Sequence, residues 1–95
     1  MSNENVIKKF LEKEQAHTQL RDICTGIEYY KGHTLWTRKL GENFELINYW
    51  TRIAYVKDNT LYINVKKYSS TTSKIQNKIK QLSSSTDYDI VEYQE

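Results

Sequence analysis

The feature that most constrains the fold of this chain is a pair of alternating apolar runs on either side of a short polar turn. The two runs flank Lys57-Asp58-Asn59 and consist of Ile53, Tyr55, Leu61, Ile63 and Val65. Alternation with a period of two is typical of a strand with one buried face, and Asn or Asp tolerates the positive φ of a tight turn. The stretch therefore predicts a β-hairpin, and with it an antiparallel sheet.

Aromatic and β-branched residues continue at the same spacing through much of the chain. Strands are predicted near residues 27–30, 34–39, 45–56 and 60–66, separated by turns at 31–32, 41–43 and 57–59. Residues 88–93 alternate once more and predict a final strand. Because the chain contains no proline, its turns must depend on glycine, Asn and Asp.

Two segments have helical periodicity instead. Residues 4–24 predict an N-terminal helix capped by Asn3 or Asn5, with His17 on its apolar stripe. The polar residues 15–19 weaken the pattern, so an earlier end or a break there is the alternative. Residues 73–82 place Ile75, Ile79 and Leu82 on one face of a shorter helix. The element order is then α-β-β-β-β-α-β, or the same with one fewer strand. The expected fold class is α+β, with an N-terminal helix, an antiparallel sheet of three to five strands, a second short helix and a final strand.

Length and composition predict a single domain, residues 1–95. Ninety-five residues suffice for one hydrophobic core but hardly for two, and eight Tyr, two Trp and two Phe supply large buried surfaces. Eleven Lys against three Arg, with nine Ile and seven Asn, is the usage expected of an AT-rich genome. A low-GC bacterium or one of its viruses is the expected source.

Several classes of function are disfavoured by the sequence. Because Cys24 is the only cysteine, no disulfide or thiolate metal cluster forms within one chain. Cys24 is expected to be a buried structural thiol. His33 is expected to be exposed, and Glu42 and Glu45 beside Asn43 are interpreted as a solvated turn. No catalytic set, metal site or cofactor is expected. No apolar run is long enough for a membrane span and no signal peptide is evident, so we expect a cytoplasmic protein.

A hydroxyl-rich hinge precedes the second helix. Residues 69–73 read Ser-Ser-Thr-Thr-Ser, and their side-chain oxygens are suited to accept the unpaired N–H groups of a helix N-terminus. We expect Thr71 or Thr72 to cap a helix that starts near Ser73. The alternative is an anion site in which Ser70, Thr71, Thr72 and Lys74 bind a phosphate.

The hinge also carries a resemblance. The run Tyr68-Ser69-Ser70-Thr71-Thr72-Ser73-Lys74, after a strand–turn–strand, resembles small phage- and plasmid-encoded proteins of unknown function in which a Tyr-Ser-x-Thr-Thr-Ser-Lys-His type segment opens a helix. The resemblance covers about residues 48–82, and this chain has Ile75 where that pattern has histidine. It implies an origin in a mobile element and no particular reaction.

Charge is unevenly distributed, which suggests a first kind of binding surface. Residues 57–82 carry six Lys against one Asp, whereas residues 83–95 carry four acids and no base. One interpretation is that the acidic tail, with Asp87, Asp89, Glu92 and Glu95, lies near the lysines of the same chain and cancels their field. The alternative is a binding surface, because basic side chains interleaved with aromatics are typical of single-stranded nucleic-acid binding. The residues of such a surface are expected to be Lys66, Lys67, Lys74, Lys78, Trp36, Trp50 and Tyr68. A net charge of +2 and three Arg favour only weak binding.

A protein partner is the preferred hypothesis, using the same lysines and aromatics. Tyr and Trp dominate interface hot spots, and a small chain with this many aromatics is expected to expose some of them. We therefore expect a non-enzymatic phage-type protein that binds and inhibits a host protein, for example an antiviral effector such as a CRISPR nuclease complex. Homodimerisation through the N-terminal helix or an edge strand is compatible with this function.

Overall fold

The computed structural model describes residues 2–18 and 34–95, and it has the predicted α+β architecture. The sheet has five strands in the spatial order β1-β2-β3-β4-β5, all antiparallel except the last pair. The two helices are connected by contacts with each other and with strands β1, β2 and β4. The elements are α1 (Asn3–Leu11), β1 (Leu35–Leu40), β2 (Asn43–Asn48), β3 (Thr51–Lys57), β4 (Thr60–Asn64), α2 (Ser70–Ser83) and β5 (Asp89–Tyr93).

The N-terminal helix is shorter than the periodicity predicted. Ser2, and not Asn3 or Asn5, is the N-cap, and its hydroxyl accepts the N–H of Asn5 at 3.2 Å. The helix ends at Leu11 because Lys13 adopts a left-handed φ of 60° and its N–H closes the last turn on Phe10. The continuous helix predicted over residues 4–24 is therefore wrong, since α1 ends at Leu11, even before the polar residues 15–19, where an earlier end was the alternative.

The residues that follow α1 extend the sheet. Thr18 N–H donates to Leu35 C=O at 2.9 Å, and Thr37 N–H donates to Ala16 C=O at 3.0 Å, so His17 forms a β-bridge with Trp36. His17 is thus exposed on a strand-like segment and does not lie on a helical stripe. These bonds protect the outer edge of β1 at residues 35–37.

The single strand predicted over residues 45–56 is two strands joined by a tight turn. Asn48 pairs with Thr51, and Tyr49 between them has a left-handed φ of 57°. Neither Tyr49 nor Trp50 is a residue that favours such a turn. The turn is held from outside, because Thr34 C=O accepts both the Tyr49 N–H at 2.9 Å and the Asn48 side-chain amide at 2.7 Å.

The predicted hairpin around Asp58 and Asn59 is confirmed, with one irregularity. Lys57 pairs with Thr60, and Asp58 has a φ of 56°. Leu46 pairs with Ala54 and the next residue, Ile47, pairs with Arg52, so Ile53 is skipped in a β-bulge. Ile53 consequently lies in the core, whereas Tyr55 belongs to the opposite face.

Helix α2 connects two neighbouring strands that run parallel. It starts at Ser70, three residues before the predicted start, and leads to β5, which pairs with β4 from Thr60↔Asp89 to Asn64↔Tyr93. A helical crossover is the usual connection for a parallel pair. The final strand predicted at residues 88–93 is confirmed, but it adds a parallel strand to a sheet that was expected to be antiparallel.

The core lies between the two helices and one face of the sheet. Burial of apolar side chains there, at about 25 cal/mol per Å², is the main source of stability. Partly buried Val65, Leu82 and Tyr88 pack against its margin. The fully buried members include Val6, Ile7, Phe10, Leu35, Leu46, Ile53, Leu61, Ile63 and Ile79.

Four predictions fall on residues 19–33, outside the described residues: the strand at 27–30, the turn at 31–32, the buried thiol of Cys24 and the exposure of His33. Neither of the two helices within residues 2–18 and 34–95 has the length and apolar content needed to cross a membrane.

Candidate functional site

The face of the sheet opposite the helices is built around a buried carboxylate. Glu45 on β2 is 1% exposed, and each of its oxygens accepts a bond from an arginine on a neighbouring strand. Arg38 Nε lies 2.7 Å from Oε1, and Arg52 Nη1 lies 2.9 Å from Oε2. The solvated turn predicted for Glu45 is therefore wrong. Strand pairing placed it between two cations, which makes its burial tolerable.

Arg52 also binds a second carboxylate. Its Nε lies 3.0 Å from Oε1 of Glu95, and Nη2 donates to the same oxygen. Burial acts to lower the pKa of Arg52, but the hydrogen bonds to Glu45 and Glu95 outweigh it and raise that pKa above its ordinary value. Arg52 is therefore a permanent cation held between one buried and one exposed carboxylate.

Tyrosine rings support the guanidinium of Arg52. The rings of Tyr55 and Tyr62 stack at 4.5 Å, and Tyr93 meets Tyr55 edge-on at 5.6 Å. The Arg52 guanidinium lies 4.4 Å from the centre of the Tyr55 ring, within the range of a cation–π contact. Because the aromatic faces and Glu45 restrict its orientation, Arg52 presents its remaining donors in one direction, toward Glu95.

A groove opens over these residues, and we call it the arginine groove. Its volume is about 470 Å³. Three of its lining side chains are exposed apolar or aromatic groups: Trp50 at 58%, Leu40 at 57% and Tyr68 at 38%. The groove thus combines aromatic surface with cationic groups. Its lining consists of Arg38, Leu40, Glu45, Trp50, Thr51, Arg52, Lys66, Tyr68 and Glu95.

The position of Lys66 and Tyr68 in the groove depends on Asn64, which is fully buried at the end of β4. The Asn64 side-chain oxygen accepts the Lys66 N–H at 3.0 Å, and its amide donates to the Tyr68 hydroxyl at 2.9 Å. Gln76 on α2 donates to the carbonyls of Asn64 and Lys66 at 2.7 and 3.0 Å. These bonds fix the connection between β4 and α2, so Lys66 lies 5.6 Å from the Tyr68 ring centre.

The structure brings together three of the predicted binding residues, Trp50, Lys66 and Tyr68, and separates the others from them. Trp36 is only 8% exposed and its indole N–H donates to Tyr49 C=O at 2.9 Å, so its ring has little surface for stacking on a ligand. Lys67 is exposed but is not part of the groove lining.

Lys74 and Lys78 lie on a different surface, at the junction of α1 and α2. They border a smaller cavity of about 220 Å³ together with Glu4 and Ile7. Lys78 Nζ lies 3.1 Å from the Glu4 carboxylate. This hydrogen bond, followed by that of Lys8, lowers the pKa of Glu4 below its ordinary value. The expected continuous lysine surface is thus divided between two parts of the molecule.

The hinge has a structural cap two or three residues earlier than predicted. The N-cap of α2 is Ser69, whose hydroxyl accepts the Thr72 N–H at 3.2 Å. Ser69 has the extended backbone of an N-cap residue, and Thr72 already lies inside the helix. The assignment of the cap to Thr71 or Thr72 is therefore wrong.

The other hydroxyl residues of the hinge differ in burial. Thr72 is 7% exposed and donates to the Asn48 side-chain oxygen at 2.8 Å, which ties the helix start to the turn between β2 and β3. Ser70 and Thr71 are exposed in the first turn of α2. The hydroxyls of Ser69 and Thr72 therefore form hydrogen bonds within the protein and do not serve as donors to an anion.

Sequence reasoning missed the polar residues that build the groove, namely Arg38, Glu45, Arg52, Glu95 and Asn64. One signal was present: Glu45 and Asn64 interrupt runs that otherwise have the composition of strands. A buried polar residue must find hydrogen-bond partners. Nothing local to either residue indicates which partners those are, because they come from other strands.

Within residues 2–18 and 34–95, no cluster of His, Cys, Asp and Glu has the arrangement of a metal site. Scans against protein-family models, curated proteins and solved structures found no match to this chain. The chemistry of the site is therefore deduced from its own side chains.

Proposed function

We propose that the chain is a non-enzymatic binding protein whose arginine groove takes an acidic segment of a partner protein. The observation that carries the proposal is the placing of Arg52, Trp50 and Tyr68 in one groove. Trp, Tyr and Arg are the residue types enriched among interface hot spots. Arg52 already holds one exposed carboxylate, that of Glu95, which is 40% exposed. A carboxylate of the partner would replace Glu95 on the same donors.

A protein partner fits the charges of the groove better than nucleic acid does. Arg38, Arg52 and Lys66 share the groove with Glu45 and Glu95, so its field is mixed. A strand of phosphates is best bound by a continuous row of cations, and Lys74 and Lys78 border a different cavity. Both oxygens of Glu45 are bonded to arginines, which supports a binding role over an acid–base role for this carboxylate.

The resemblance of the hinge to phage- and plasmid-encoded proteins supports a narrower form of the proposal. In that form the partner is a host protein, for example an antiviral effector such as a CRISPR nuclease complex, and binding inhibits it. Such inhibition needs complementary surface and no catalytic residue.

The test is affinity capture from a nuclease-treated lysate of a low-GC bacterium, with matched variants. We expect one host protein to be retained at stoichiometric yield by the parent chain and lost with Trp50→Ala/Tyr68→Ala. The control, Lys74→Ala/Lys78→Ala, lies outside the groove and should retain the partner. Retention that is equal for all three chains would overturn the assignment of the groove.

Nucleic acid is the competing outcome, and titration with a single-stranded oligonucleotide measures it directly. Counterion release predicts that log affinity falls against log salt with a slope of about −0.7 per phosphate neutralised. Tight binding with a steep slope that is lost in Lys74→Glu/Lys78→Glu would replace a protein partner with nucleic acid. Absence of binding at about 50 mM salt removes this alternative.

A further inference from the structure

Strand β5 forms an edge of the sheet, and its outward backbone groups can be identified from two hydrogen bonds. Asp89 N–H donates to Asn59 C=O at 3.0 Å, and Tyr93 C=O accepts the Val65 N–H at 2.7 Å. Because successive residues of a strand direct their backbone groups to opposite edges, residues 89, 91 and 93 face β4. The N–H and C=O groups of Ile90 and Glu92 therefore face away from the sheet.

This edge is open, unlike the edge at β1. Residues 89–92 are all exposed, with Ile90 at 46% and Val91 at 41%. At the opposite edge, residues 16–18 pair with residues 35–37 of β1 and cover that part of its backbone. Natural proteins commonly protect an edge strand with proline, charged side chains or a covering segment; β5 contains no proline, and its charged residues, Asp89 and Glu92, are acidic. Its exposed apolar side chains make the edge suitable for pairing.

The charge beside this edge selects the occupant. Residues 83–95 carry four acids and no base. Glu92 is paired with Lys80 at 3.1 Å and Glu95 with Arg52, whereas Asp87 and Asp89 have no ion pair within the described part of the chain. A second copy of β5 would bring a second set of these acids to the edge. A basic strand would neutralise Asp87 and Asp89 instead.

We propose that β5 is an acceptor edge, at which an extended, lysine- or arginine-bearing segment of a partner protein adds as a sixth strand. The backbone groups of Ile90 and Glu92 supply the main-chain hydrogen bonds, Val91 packs against an apolar side chain of the added strand, and Asp89 pairs with a basic one. Strand addition of this kind takes its affinity from the main chain and its specificity from alternate side chains. The edge acts independently of the arginine groove.

Amide hydrogen exchange tests the proposal, with the six-residue peptide Lys-Thr-Val-Thr-Lys-Thr as the probe, because it carries lysine and valine on the same face, as Asp89 and Val91 require. In the free chain the Val91 and Tyr93 amides should be protected, while those of Ile90 and Glu92 exchange rapidly. When the peptide concentration is about ten times its Kd, exchange at Ile90 and Glu92 should slow about tenfold. A peptide with glutamate in place of lysine should have no effect.

Two variants make the outcome specific to the edge. Ile90→Pro removes an outward N–H without removing a bond to β4, so it should abolish peptide protection at Glu92, whereas the control Ile90→Ala should keep it. Should Ile90→Pro fail to fold, Asp89→Lys provides the second test and should weaken binding of the lysine peptide.

Three results would overturn the proposal. The first is slow exchange at Ile90 and Glu92 in the dilute free chain, which would mean that the edge is already covered. The second is protection that rises with protein concentration alone, which would assign the edge to a second copy. The third is equal binding of the lysine and glutamate peptides.

Discussion

The two faces of the sheet are stabilised by different forces. The face under α1 and α2 is apolar, and side chains such as Phe10 and Leu61 are fully buried there. The opposite face carries Glu45, equally buried but neutralised by Arg38 and Arg52. Apolar burial is non-directional, whereas a buried carboxylate is tolerated only when its hydrogen bonds are complete. The first face therefore stabilises the fold, and the second specifies where its charged groups lie.

The largest expected effect is on the apolar face. Phe10 is 0% exposed and stacks on Phe44 at 5.8 Å, so Phe10→Ala leaves a cavity between α1 and the sheet. The free energy of unfolding should fall by about 3–5 kcal/mol, as measured by urea denaturation. The control Leu40→Ala removes a side chain that is 57% exposed and should change stability by at most about 0.5 kcal/mol. A similar loss for both variants would contradict the assignment of the core.

The second effect is on the charged face. Arg52→Met leaves Glu45 with one arginine and Glu95 with none of the bonds from Arg52, so the free energy of unfolding should fall by about 1–3 kcal/mol. Arg38→Met is the matched control and should cost less, because Arg38 is 46% exposed and Arg52 still holds Glu45. Urea denaturation of both variants makes the comparison.

Removing the buried charge should reverse part of that loss. Adding Glu45→Gln to Arg52→Met replaces a carboxylate by a neutral amide, so the double variant should be more stable than Arg52→Met alone. A double variant that is less stable than Arg52→Met would show that the buried charge is not the source of the cost.

A smaller effect is expected at Tyr93, whose hydroxyl is buried without a hydrogen-bond partner among the described residues. Tyr93→Phe should leave the free energy of unfolding unchanged or raise it by up to about 1 kcal/mol. The matched control is Tyr88→Phe, which removes a hydroxyl that donates to Leu11 C=O at 2.8 Å and should cost about 0.5–1.5 kcal/mol. In thermal unfolding, the melting temperature should stay unchanged or rise in Tyr93→Phe and should fall in Tyr88→Phe.

Tyr93 also predicts a dependence on alkaline pH. Burial raises the pKa of its hydroxyl above the ordinary value of 10.0, because the ionised form is disfavoured in the fold. The contribution to stability is complete below pH 10.0 and is lost as the pH rises above that value. In Tyr93→Phe the decline in stability on alkaline titration should be shallower than in the parent. An unchanged decline would contradict the burial of this hydroxyl.

The smallest effect is expected at the exposed pair between the helices. The Lys78 hydrogen bond, followed by that of Lys8, lowers the pKa of Glu4 from its ordinary value of 4.5, so the stability it contributes is present above that pH and is lost as the pH falls through the lowered value. Lys78→Met should flatten the acid side of the stability profile at low salt, and the control Lys74→Met should not. Added salt should remove the difference. Equal stability profiles for the two variants at low salt would show that the Lys78–Glu4 pair does not contribute to stability.

Much of the element order could be predicted from local patterns. The hairpin at Asp58, the helix around Ile75 and Ile79 and the final strand are confirmed, because each depends on periodicity and turn chemistry within a few residues. The end of α1 and the turn at Tyr49 could not be predicted. Both require a left-handed residue that is neither glycine nor Asn. The turn at Tyr49 is also held by the carbonyl of Thr34, which is distant in the sequence.

The candidate site was predictable only in part. Trp50, Lys66 and Tyr68 were selected by residue type, and the fold brings them to one groove. Lys74 and Lys78 were selected by the same argument but lie at the helix junction. Their spacing of four residues places both on the face of α2 that is next to α1. Residue type indicates what a side chain can bind, but the fold decides which side chains meet.

The sequence by itself determined the α+β class, the Asp58 hairpin and the apolar stripe of α2, because these follow from spacing along the chain. Only the tertiary structure decided that Glu45 is buried, that Ser69 caps α2 and that the lysines divide between two surfaces. The physical reason is the distance along the chain over which each effect acts. Periodicity acts over a few residues, whereas a buried charge, such as Glu45, is satisfied by donors that strand pairing brings from distant positions in the chain.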